Sequence, residues 1–234
     1  MDTYGSSIQN IQCVVDRIFS TAGVYGIFAR PGFGKTSLMM YFARTMAETG
    51  GKSLVFSLEN DKERLLKLTH MCEMNSNDVV IHDAPQADVE TLREAICTEK
   101  PNLVCIDNLR LLCGDTVSIM KELDELSGSL SVSIIITGSL PRSCGDYDAF
   151  SRRPELYDLT GLVPLESTVS DYRRFIGSFG FIMFLHRCHD CERRIGSACE
   201  FNLSFSSELI IKDHINSHHL PKTCYFDIRD IVPV

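Results

Sequence analysis

Residues 29–36 read Ala-Arg-Pro-Gly-Phe-Gly-Lys-Thr, and they stand between an apolar run and an amphipathic one. This stretch departs from the pattern G-x-x-x-x-G-K-[ST] only at its first position, where Ala29 replaces glycine. Val24 to Ala29 (VYGIFA) before it reads as a strand. Thr36 to Glu48 after it reads as a helix, with Leu38, Met39, Phe42, Ala43 and Met46 at helical spacing. A strand that turns through glycines directly into a helix is the opening unit of a parallel α/β sheet. It also fixes a chemistry. Gly34 lets the backbone come close to phosphate oxygens, and the helix N-terminus aims free N–H groups at them. Lys35 would reach the β- and γ-phosphates of a nucleotide, and the Thr36 hydroxyl would ligate Mg²⁺.

The remainder of the chain continues the alternation. Ser53 to Ser57 reads as a strand and Asp61 to Met71 as a helix; Val79 to His82 follows as a short strand. Val89, Leu92 and Ile96 place one apolar stripe on a helix that ends before Pro101. Leu103 to Ile106 is a fully apolar strand; Ile119, Leu123, Leu126 and Leu130 mark another helix, and Val132 to Thr137 (VSIIIT) another strand. From 138 to 180 the pattern fails in a stretch rich in Ser, Pro, Gly, Arg and Asp, which reads as a long irregular loop. Phe181 to Leu185, Glu208 to Lys212 and Thr223 to Phe226 return as strands, the last two as a C-terminal β-hairpin. The expectation is a single α/β domain over 1–234, a mostly parallel central sheet flanked by helices.

Two carboxylates suit the phosphate loop. Asp107 ends the strand LVCID and would hold the magnesium, because the carboxyl ends of parallel strands face one crevice. Glu59 follows the strand SLVFS at the same sheet edge, and is the candidate that orients an attacking water.

Composition narrows the class. The chain has 234 residues, 44% of them apolar, so it can bury a core without staples. No apolar run approaches the ~18 residues that span a bilayer, and Asp2 stands where a signal peptide needs a basic residue. The expectation is a cytoplasmic protein with no membrane partner. The ten cysteines are then read as reduced thiols. Cys188, Cys191 and Cys199, near His186 and His189, include one Cys-x-x-Cys, but the spacing fits no standard zinc finger. Net charge is −8, and residues 53–130 hold 15 acidic and 7 basic side chains, which accounts for the whole excess. Such a chain does not coat nucleic acid nonspecifically, although a local contact surface remains open.

ARPGFGKT, FSLEN and CIDNLRLL resemble, in order and spacing, the ATPase domain of DnaB-type replicative helicases. The family's loop begins Ala-Arg-Pro, which accounts for Ala29, and its Phe-Ser-Leu-Glu motif supplies the catalytic glutamate, here Glu59. Arg153 to Leu159 resembles the segment before the family's DNA-facing loop, and Phe181 to Arg187 the strand that follows. The resemblance implies a RecA-like P-loop NTPase that uses ATP and Mg²⁺. Arg30, Pro31, Gly32, Phe33, Gly34, Lys35 and Thr36 would cradle the phosphates, and Thr36 and Asp107 would hold the metal. It also implies single-stranded DNA, a hexamer of self-associated copies and replication proteins as partners.

Three departures accompany the resemblance. The family's glutamine after the fourth core strand is missing from Thr137-Gly138-Ser139-Leu140. Lys212-Asp213-His214 stands in place of Lys-x-Arg, whose arginine acts on a neighbouring subunit, and the family's N-terminal helical domain is absent from these residues. Residues 142–174 hold five arginines but six acidic residues, a poor grip on phosphates. Two functions stay open: a helicase motor domain, or a catalytically weak ATP-binding paralogue that regulates assembly with a replication partner. A RecA-like ATPase of the clock or recombinase kind is disfavoured by Arg30-Pro31.

Overall fold

The computed structural model describes residues 5–68, 78–140, 154–187, 206–213 and 223–227. Its strands are β1 (Gly23–Ala29), β2 (Ser53–Ser57), β3 (Val79–Asp83), β4 (Leu103–Asp107), β5 (Ser133–Ser139), β6 (Phe179–Arg187), β7 (Ser206–Asp213) and β8 (Thr223–Asp227). Its helices are α1 (Gly5–Ser20), α2 (Lys35–Glu48), α3 (Lys62–Leu68), α4 (Val89–Glu99), α5 (Thr116–Leu130) and α6 (Val169–Gly177). One eight-stranded sheet runs in the order β3-β2-β4-β5-β1-β6-β7-β8. The six strands from β3 to β6 in that order are mutually parallel, and β7 and β8 add an antiparallel hairpin at the edge.

The sheet is parallel because its central strands are apolar on both faces. Ile134, Ile135 and Ile136 of β5 are all fully buried, as are Val104, Cys105 and Ile106 of β4, which requires helices above and below. On one face Val14, Val15 and Ile18 of α1 and Leu38, Met39, Phe42 and Ala43 of α2 cover the sheet. On the other, Leu92 and Ile96 of α4, Met120 and Leu123 of α5 and Phe175 and Ile176 of α6 do so. Helices α2, α4 and α5 thus bury the apolar stripes that the sequence spacing shows, except for Leu130 at the end of α5, which is exposed because the helix stops there.

The stretch 138–180 is less irregular than its composition suggests. Leu156–Leu162 forms a 3₁₀ segment that buries Leu159 and Leu162, and α6 spans Val169–Gly177. The reason is capping. The Thr168 side chain accepts from the Asp171 N–H while the Asp171 carboxylate accepts from the Thr168 N–H and hydroxyl; this reciprocal pair starts a helix that offers few apolar residues. Residues 141–153, within the same stretch, lie outside the described residues.

One close approach at the sheet centre is worth a test. Phe28 on β1 pairs with Gly138 on β5, and its ring packs edge-on against Phe179, 5.6 Å between centroids. A Cβ at Gly138 would stand 2.6 Å from Phe28 Cε1, inside van der Waals contact, so the aromatic cluster would have to shift. Gly138→Ala is expected to cost about 1–3 kcal/mol through overpacking, read as a lower thermal midpoint. An unchanged midpoint would mean that Phe28 swings aside freely.

Candidate active site

The strand order changes direction around β1: β2, β4 and β5 lie to one side of it and β6 to the other. Ligands of open α/β sheets bind beyond the strand ends at such a switch point. The loop 30–34 leaves β1 there and enters α2. Gly32 and Gly34 have φ of 78° and 88°, a left-handed geometry that favours glycine and turns successive N–H groups into an anion-binding nest. A Cβ at Gly32 would meet no atom within 4 Å, so backbone conformation rather than space is what asks for glycine. The cap of α2 is Gly34, with no side chain to close the helix end, whereas Asp88, Asp115 and Thr168 cap α4, α5 and α6. The first-turn N–H groups of α2 therefore point at the crevice.

The carboxylates reach the same place. Asp107 ends β4 directly beside Ser57 at the end of β2, and its carbonyl accepts from the Leu58 N–H at 2.7 Å. Its carboxylate crosses toward the loop: the Thr36 hydroxyl donates to Oδ2 at 2.9 Å, and the Thr137 hydroxyl of β5 donates to Oδ1 at 2.5 Å. Asp107 is 1% exposed. Burial pushes its carboxyl above the usual range; the hydroxyls of Thr137 and Thr36 pull it back, Glu59 adds to the rise and Lys35 opposes it. Lys35 is also buried, and its ammonium donates to the Arg30 carbonyl at 3.4 Å. Burial holds its pKa below the ordinary lysine value, against the upward pull of Asp107 and Glu59. A cation thus stands at the helix end within electrostatic reach of two carboxylates.

Glu59 is exposed just after β2, and Asn108 Nδ2 donates to its Oε2 at 3.4 Å. The Asn108 carbonyl oxygen of the side chain accepts in turn from the Arg110 N–H at 3.3 Å. Lys35, Thr36, Glu59 and Asp107, named from sequence alone, therefore share one crevice with Gly32 and Gly34. Thr137 and Asn108 are additions. Thr137 shows in the sequence only as a polar end to an isoleucine run, and Asn108 only as the residue after Asp107. The segment Thr137-Gly138-Ser139-Leu140, in which the resembled family's glutamine is missing, spans the end of β5. His214, Cys188, Cys191 and Cys199 lie outside the described residues; among the described residues no cluster of three or more metal-ligating side chains occurs. Nor is any described helix long and apolar enough to cross a membrane.

The donor set suits the group it would hold. A hydroxyl and a carboxylate are hard oxygen ligands of the kind Mg²⁺ takes, commonly with one protein carboxylate and substrate phosphates. The adjoining nest and helix end suit the phosphates themselves.

No family model and no curated protein matches the sequence. Solved structures do. One, an ATPase domain, aligns at a TM-score of 0.57 and 18% identity, over 83% of this chain and 78% of that one. A KaiC-like protein from the hyperthermophilic archaeon Pyrococcus horikoshii aligns at 0.59 and 13%, over 88% and 86%. A DnaB-like replicative helicase, solved for its interactions with primase, aligns at 0.57 and 18% over 84% of this chain, which spans 53% of its length. Identities this low speak to architecture alone: the chain has the RecA-like α/β fold shared by DnaB-type helicase ATPase domains and KaiC-like proteins.

Proposed function

We propose that the chain binds Mg·ATP in this crevice and hydrolyses it as a DnaB-like helicase domain, coupling turnover to movement along single-stranded DNA in replication. The observation that carries the ATP reading is the meeting of Thr36 Oγ1 and Asp107 Oδ2 at 2.9 Å, across β5, beside the buried Lys35. Residues 71 apart in sequence converge there on the chemistry that a nucleotide and its metal require. In this reading residues 30–34 and the α2 N–H groups cradle the phosphates and Lys35 neutralises their charge. Thr36 and Asp107 hold the cation, which when bound offsets charge on the phosphoryl oxygens. Glu59 orients the attacking water.

The fold does not choose between helicase and KaiC-like relatives, whose similarity scores are nearly equal. The DnaB-like choice rests on ARPGFGKT, FSLEN and CIDNLRLL. A hexamer, replication proteins and a cytoplasmic location go with it.

A second reading, a non-motor ATP-binding paralogue that regulates a partner's assembly, is favoured by specific residues. The stretch Thr137-Gly138-Ser139-Leu140 offers no side chain with the reach and the amide of the family's glutamine, and His214 stands where the family's arginine acts in trans. An arginine supplied by a neighbour is worth ~10³–10⁵ in rate, and a histidine has neither its permanent charge nor its planar fork of donors.

ATP turnover with and without single-stranded DNA, measured beside the molecular mass, separates the two. Slow turnover that single-stranded DNA does not raise fits the paralogue; DNA-stimulated turnover in a multimer fits the motor. Under the paralogue reading, His214→Arg is expected to raise turnover and to make it rise with protein concentration, because the restored cation acts between copies. Absence of any Mg·ATP binding overturns both.

A further inference from the structure

The two oxygens of the Asp107 carboxylate are each held by one hydroxyl, and the two bonds differ in kind. Thr36 belongs to the phosphate loop and is half-buried; under the Mg·ATP reading its hydroxyl turns to the cation, which leaves Oδ2 with no donor from the protein. Thr137 is in no position to change partners. It is fully buried in β5, the strand that separates the phosphate-loop strand β1 from Asp107's strand β4, and pairs with Ile27 on β1. A β-branched side chain in the middle of a sheet has little rotamer freedom, and its hydroxyl donates to Oδ1 at 2.5 Å.

Nothing in the packing asks for that hydroxyl. Ile134, Ile135 and Ile136 precede it, all fully buried, and valine has nearly the same shape as threonine. Among the described residues, the polar partner of the Thr137 side chain is Asp107. From this geometry we infer that Thr137 is a positioning residue: it fixes the Asp107 carboxylate by one oxygen so that the other stays aimed at a divalent cation beside Thr36. The inference rests on the Mg·ATP reading above. Hydrogen-bond partners behind a metal ligand typically govern metal affinity by 10–100-fold, because a ligand free to rotate must be ordered each time the ion binds.

The test is a magnesium titration of ATP binding, followed by calorimetry, on the wild type, Thr137→Val and Thr137→Ser, with ATP binding in EDTA and thermal midpoints measured alongside. Thr137→Val is expected to need about tenfold more Mg²⁺ for half-maximal enhancement, with metal-free ATP affinity unchanged. Thr137→Ser, which restores the hydroxyl, is expected to return the midpoint to within about threefold of the wild type. Should Thr137→Val fail to fold, Thr137→Ala takes its place as the variant without a hydroxyl. A valine or alanine variant with a wild-type Mg²⁺ midpoint overturns the inference while leaving the ATP reading intact, and so does a serine variant as impaired as valine. A lowered thermal midpoint with an unmoved Mg²⁺ midpoint marks Thr137 as structural only, and likewise overturns it. A wild type whose ATP binding ignores Mg²⁺ removes the reading on which the inference stands.

Discussion

Lys35→Met is expected to lower ATP affinity at least about a hundredfold, while the nucleotide-free protein unfolds no more easily than the wild type. The first part follows from what the ammonium is for. A charge-assisted hydrogen bond contributes about 1.5–3 kcal/mol, and the upper end of that range is a factor of roughly a hundred in binding. Lys35 is also a point charge held where water is largely excluded, which strengthens its pull on phosphate oxygens. The second part follows from its burial. Desolvation acts against the charged lysine more strongly than Asp107 and Glu59 act in its favour, so removing the charge is expected not to weaken the fold. Methionine keeps the unbranched stem and fills the same space, and this isolates the charge. Calorimetry with Mg·ATP gives the affinity and a thermal melt gives the stability. Equal affinities would move the nucleotide elsewhere; a collapsed midpoint would make Lys35 a structural residue.

The phosphate loop that holds this lysine is legible in the sequence because its chemistry is local. Gly32, Gly34, Lys35 and Thr36 lie within five residues, and the strand before and the helix after can be read beside them. Asp107 and Glu59 are legible because both end apolar runs, and parallel strands present their carboxyl ends on one side of the sheet. Thr137 and Asn108 are not legible as site residues. What Thr137 does depends on β5 lying between β1 and β4, and that order is set by pairing between segments far apart in the chain. No spacing in the sequence encodes it.

Secondary structure shows the same division. The strands β2, β4 and β5 are buried throughout or nearly so, and unbroken runs of Val, Ile, Leu and Phe announce them. Helix α6 escapes a reading by periodicity because only Phe175 and Ile176 are buried in it; its signal is the Thr168-x-x-Asp171 capping pair, a polar feature that resembles loop composition. Helix α1 escapes it too, although Ile8, Ile11, Val14, Val15 and Ile18 recur at helical spacing. It precedes the first strand, where no alternation with a strand before it prompts the reading.

Glu59→Gln is expected to keep Mg·ATP affinity within about threefold and to lose most of the turnover, by the ~10²–10⁴ that a positioned acid–base group contributes. Glutamine preserves the length of the side chain and an oxygen that can still accept from Asn108 Nδ2, 3.4 Å away in the wild type. What it removes is the negative charge and the capacity to draw a proton from water. Glu59 is exposed at the crevice rim, close enough for its charge to act on both Lys35 and Asp107, whereas Lys35 and Asp107 themselves are buried. Binding and turnover should therefore separate in this variant, as they would not in Lys35→Met. The competing account is that Glu59 is a solvated loop acid whose charge matters only through the general field. Asp61→Asn tests it, because Asp61 is an exposed acid two residues along the same loop. A field effect predicts similar, modest losses in both variants; a water-orienting role predicts a large loss in Glu59→Gln and almost none in Asp61→Asn. Single-turnover measurements at saturating Mg·ATP keep product release out of the comparison. Equal turnover in the two variants would return Glu59 to the surface, and the search for the group that orients water would begin again among the residues around Asn108.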